Sequence, residues 1–77
     1  MIKYLYAEEP KELYKFDYVV NKVYFLNSYN SGWIEEEFSM CDTAREEYKF
    51  YLTNMKDIQK IHKTEAEALG MMLTLGS

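Results

Sequence analysis

The chain holds one thiol, Cys41, and one imidazole, His62. A cysteine does nucleophilic or metal chemistry as the thiolate, and a nucleophile also needs a base and an orienting group. Cys41 stands just before a helical pattern, a position that can lower a thiol pKa. The single base on offer is His62, far along the chain. A zinc site asks for about four Cys and His ligands, and two are present. Four carboxylates, Glu35, Glu36, Glu37 and Asp42, fall close together without the spacing of an EF-hand loop. The glycines, Gly32, Gly70 and Gly76, form no phosphate-cradling loop. These residues predict a protein that is not an enzyme, with no metal and no cofactor.

The charges are more informative than the reactive groups. Thirteen Asp and Glu against nine Lys and Arg give a net charge of −4. The first 34 residues are balanced. Residues 35–47 then carry Glu35, Glu36, Glu37, Asp42, Glu46 and Glu47 against Arg45 alone. Residues 48–63 carry Lys49, Lys56, Lys60 and Lys63 against Asp57, and Glu65 and Glu67 follow. On a strand, Glu35 and Glu37 would share a face ~6.6–6.8 Å apart, a spacing like that of phosphates along a nucleic-acid backbone. Trp33 would lie on that face as an apolar anchor. The predicted partner-binding set is therefore Trp33, Glu35, Glu36, Glu37, Asp42, Glu46 and Glu47. Its partner would be a protein with a basic, nucleic-acid-binding surface, captured by charge mimicry. A structural reading competes: acidic residues suit the first turn of a helix, and a Glu run protects a sheet edge. Ile34, Glu36 and Phe38 share the other face, so Glu36 must sit at a sheet margin or in an irregular strand. Direct nucleic-acid binding is excluded by the acidic balance, despite eight Tyr. The lysines after residue 48 spread around a helix and read as a solvated face. His62 falls on that helix's apolar stripe.

The elements that position these residues differ between the two halves. Ile2 to Tyr6 alternates and stops at Glu8-Glu9-Pro10. Leu13 to Val20 and Val23 to Tyr29 are dense in Tyr, Phe and Val, which fit a pleated surface, with a turn at Asn21-Lys22. Asn30-Ser31-Gly32 joins the third strand to Trp33–Phe38 as a hairpin. A helix from Pro10 competes, because Leu13, Phe16, Val20, Val23 and Leu26 also follow helical spacing. Further on, Thr43 and Glu46 form a capping box. Ala44, Tyr48, Tyr51, Leu52, Met55, Ile58 and His62 trace one stripe, predicting a helix of ~30 Å to Lys63. Thr64 and Glu67 form a second capping box, so a new helix starts at residue 64 or 65, or one helix runs on through Ala66, Leu69 and Leu73. The predicted class is α+β in one domain, 1–77: an antiparallel sheet of three to four strands followed by one long or two shorter C-terminal helices.

A chain of 77 residues buries only ~60% of its unfolded surface, and its lone cysteine allows no internal disulfide. Aromatic packing and association must supply the rest. Leu69, Met71, Met72 and Leu75 cannot all face one core. They predict an adaptable surface, here a homodimer contact, or a tail folded over the sheet. The lone cysteine, the lack of a visible signal peptide and the lack of a long apolar run predict a cytoplasmic protein with no membrane partner. Eight Lys to one Arg, with many Tyr, Asn, Ile and Glu, suggests an AT-rich coding source. In composition alone the chain resembles small acidic early proteins of phages. That resemblance implies a host-takeover inhibitor acting in the host cytoplasm as a DNA mimic.

Overall fold

The strands form where Tyr, Phe, Val and Leu are dense, and their apolar residues line both faces of the sheet. A computed structural model describes residues 1–30, 32–39 and 41–75. The elements are β1 (Ile2–Ala7), β2 (Glu12–Asp17), β3 (Lys22–Leu26), β4 (Ile34–Glu36), α1 (Ala44–Asn54), β5 (Ile58–Ile61) and α2 (Lys63–Leu75). The strands make one antiparallel sheet in the order β4-β3-β2-β1-β5. The first turn contains a cis Glu9–Pro10 bond and Lys11 at φ 68°. In the second, Asp17 Oδ1 accepts from the backbone N–H groups of Val19 and Val20, and Asn21 takes φ 58°. Asn tolerates that left-handed conformation better than most residues.

Cross-strand register sets the two faces. Leu5 opposes Tyr14, Tyr14 opposes Phe25, and Phe16 opposes Val23, all on one face. Tyr6, Leu13 and Leu26 lie on the other. Helix α1 covers the first face, where Tyr51 meets Tyr14 and Phe16 edge to face at 5.0 and 5.2 Å. Helix α2 covers the second, burying Ala66 and Leu73 against Tyr6, Leu13 and Leu26. The result is a three-layer arrangement. Burial on both faces explains the near-continuous apolar runs in β1 and β2, which imitate helical spacing over short stretches. Residues 10–26 are strands and turns, and the helical alternative is overturned.

The sheet has five strands rather than three or four. The helix predicted from Ala44 to Lys63 ends at Asn54, Met55 is extended, and Asp57 turns the chain at φ 60°. Ile58–Ile61 then pairs with β1. Ile58 packs on the α1 side and Ile61 on the α2 side. Two apolar residues three apart share one helix face but opposite strand faces, so this pair fits either element. His62 is exposed and lies before α2, not on an apolar stripe. Its backbone N–H donates to Glu65 Oε1 at 3.3 Å, and α2 starts at Lys63. The Asn30-Ser31-Gly32 connection joins two strands that do pair, while Ser31 lies outside the described residues.

Candidate protein-binding surface

Helix α1 begins as its sequence predicts. Thr43 Oγ1 accepts from the Glu46 N–H at 3.2 Å and donates to the Glu46 carboxylate at 3.0 Å. A cap from outside the helix joins it: Asn21 Oδ1 accepts from the Ala44 N–H at 2.7 Å. Glu46 is thus a capping residue at the surface, and Asp42 and Glu37 are exposed.

The rest of the acidic run is dispersed. Glu35 pairs with Lys22 at 3.0 Å. Glu36 turns toward α1 and accepts from the Tyr51 hydroxyl at 3.1 Å. Burial raises the Glu36 carboxyl pKa above its ordinary range, with Glu12 and Glu47 adding to the rise and the Tyr51 hydrogen bond opposing it. Glu47 is 1% exposed and accepts from the Ser39 N–H at 3.2 Å and from Ser39 Oγ at 3.0 Å. It presents no charge to solvent. Of the six predicted carboxylates, two point inward and one is ion-paired. The thiol of Cys41 is pushed up by desolvation and by the carboxylates of Glu47, Glu46 and Asp42. That is the reverse of what a nucleophilic thiol requires.

Trp33 lies on the same side of the sheet as Glu35, whose register partner is Tyr24, as the alternation predicts, and away from the inward-turned Glu36 and Glu47. The Lys15 ammonium sits 4.6 Å from its ring centre and 4.8 Å from that of Tyr24, so it lies on the α2 side. There Trp33 forms one wall of a groove of about 480 Å³, with Tyr4 and Leu26 at its base and Met71 and Leu75 opposite. Gly70 lines the groove, and a Cβ there would make ordinary contact with Leu26 Cδ2 at 3.5 Å. Met71 is 65% and Leu75 81% exposed, and Met72 is exposed beside them. Leu69 departs from that group and packs against the α2-side core. The groove unites Trp33 with residues some forty positions away, and only the opposed faces of the sheet and α2 bring them together. Among the described residues its one carboxylate is Glu67, which with Asp17 adds to the burial-driven rise of the Tyr4 phenol pKa.

Comparison of the chain with protein families, with curated proteins and with solved structures finds no match. Among the described residues, no group of three or more His, Cys, Asp or Glu could hold a metal ion. No helix among them is long and apolar enough to cross a membrane.

Proposed function

We propose that this is a non-enzymatic interaction protein, an inhibitor or regulatory subunit, that seats an apolar, basic-flanked helix of a partner protein in the groove between Trp33 and α2. The observation that carries this reading is the groove, where an exposed Trp faces exposed Met71 and Leu75 across apolar floor residues. Trp and Met are enriched at interface cores, and an amphipathic helix in an apolar groove is a common recognition mode. Glu67 in the wall favours a cationic flank over an acidic one. The phosphate-mimic reading is weaker, because Glu36 and Glu47 turn inward and Lys22 offsets Glu35. The free Cys41 suits a reducing compartment such as the cytoplasm.

Trp33 is the single tryptophan, so its fluorescence reports on the groove directly. Titration with a lysine-flanked, leucine-rich helical peptide is expected to shift its emission to the blue in a saturable way. The response should persist at about 0.5 M salt, where exposed charges are strongly screened. Met71→Glu with Leu75→Glu should abolish it. A response that vanishes with salt, and that Glu35→Lys with Glu37→Lys removes while the Met71/Leu75 variant keeps it, would restore charge mimicry and sink the groove reading. Sedimentation showing a dimer that Leu75→Glu dissociates would instead make a second copy of this chain the occupant.

A further inference from the structure

Strand β5 gathers charges that are scattered in the sequence. Its register with β1 places Tyr4 opposite Ile61 and Leu5 opposite Lys60. Lys3 and His62 follow directly on the last pair of that register, Tyr4 and Ile61, and line the same cleft. Alternation puts Lys3, Lys60 and His62 on the α1 side of this sheet edge. With Lys63 and the Tyr48 ring of α1, they line a cleft of about 260 Å³.

Among the described residues the one ion pair is Lys22–Glu35. Among the described residues, Lys3, Lys60 and Lys63 therefore have no side-chain carboxylate within 4.0 Å, in a chain whose net charge is −4. Glu65, close in sequence, is turned onto the His62 backbone N–H. Like charges side by side on a sheet repel, and among the described residues none of these three lysines is ion-paired. Three ammonium donors and an imidazole around one small cleft are complementary to a compact multivalent anion.

We propose that this cleft binds the phosphoryl group of a small phosphomonoester. A phosphomonoester carries about −1.5 to −2 charges and three strong acceptor oxygens near neutral pH. Lysine meets such a group as a point charge. The cleft is smaller than the ~300–1,000 Å³ pockets that enclose drug-sized ligands, so it holds the phosphoryl group and a short carrier against Tyr48. It shares Tyr4 with the lining of the Trp33 groove, and its proposed ligand does not depend on that groove's function.

The test is an amide-shift NMR titration of the full chain with glucose 6-phosphate, with glucose, inorganic phosphate, a phosphoserine peptide and a short single-stranded oligonucleotide as the other arms. The expected result is saturable shifts at Lys3, Tyr48, Lys60, His62 and Lys63 with glucose 6-phosphate and none with glucose. Loss of one charge-assisted contact should weaken binding about tenfold in Lys60→Gln, and again in Lys3→Gln. Both positions tolerate Gln on a strand surface, and unchanged amide shifts elsewhere confirm the fold. Inorganic phosphate binding as tightly as the sugar phosphate makes the site one for free phosphate and removes the carrier. Tighter binding of the phosphopeptide or the oligonucleotide overturns the proposal in favour of that macromolecule. No saturable shift at about 10 mM, far weaker than the ~1 mM that marks the low end of useful affinity, or shifts that Lys60→Gln leaves unchanged, overturns it outright.

Discussion

Glu36 and Glu47 are close in charge pattern but opposite in circumstance. Glu47 is enclosed and ties Ser39 to α1 through its N–H and its hydroxyl. Glu47→Ala should lower the unfolding free energy by about 1–3 kcal/mol, the scale of hydrogen bonds made to a charged group, as read from urea denaturation. Glu36 is only half enclosed, and burial raises its pKa in the fold. A carboxyl whose folded pKa exceeds its unfolded one binds its proton more tightly when folded. Its penalty is absent at pH values below the ordinary carboxylate range and grows as pH rises through the raised pKa. Glu36→Gln keeps an acceptor for Tyr51 and removes that penalty. It should therefore be more stable than the parent at pH 7, with the gap closing as pH falls toward 4. A gap independent of pH would refute the assignment. In the sequence, Glu36 already stood out as a carboxylate on an apolar strand face. What no spacing could show was that Tyr51, fifteen residues on, supplies the hydroxyl it needs. Glu47 carried no such signal, because a first-turn acid looks the same whether it meets solvent or a folded-back serine.

Local rules that depend on neighbours in sequence were readable at the element scale. The Thr43–Glu46 capping box, the strand density before residue 27 and the strand pairing across Asn30-Ser31-Gly32 all appear in the fold. Ile58–Ile61 was not readable, because Met55, Ile58 and His62 continue the α1 spacing until Asp57 breaks it. Lys49 stays on the exposed face of α1, whereas Lys56, Lys60 and Lys63 leave that helix, and Lys60 joins Lys3 instead. The Asn21 cap on α1 was equally hidden, being a contact between a turn and a helix more than twenty residues apart. Gly70 gives a prediction at this scale. It lies inside α2, and a Cβ there would meet Leu26 and Leu13 at ordinary contact distances of 3.5 and 3.7 Å. Gly70→Ala should raise stability by about 0.5–1 kcal/mol through helix propensity and a less flexible unfolded chain, measured as an increased Tm. A larger side chain such as Leu at the same position should lower it by overpacking.

The whole molecule places α1 and α2 on opposite sides of one sheet, and it fills the α1 side with tyrosine. Burial first, then hydrogen bonding to or repulsion from Glu12 and Glu36, pushes the Tyr14 and Tyr51 phenols well above the ordinary value of 10.0. Here too the folded state holds the proton more tightly. Stability is intact below pH 10 and drains away as pH climbs past it, because only the unfolded chain can release those protons. Urea midpoints should stay level from pH 8 to about 10 and fall steeply above it, and Tyr14→Phe should reduce the slope of that fall by about one proton. The sheet order carries a consequence of another kind. Strands β4 through β1 are joined by local connections, whereas the slot beside β1 waits for Ile58–Ile61, delivered only after α1 has crossed the sheet. While the chain is being synthesised, β1 keeps its outer hydrogen-bonding rim bare until more than fifty further residues have followed. The nascent protein spends that interval with an open seat for any passing extended segment, including the same strand of a neighbouring chain on the same message.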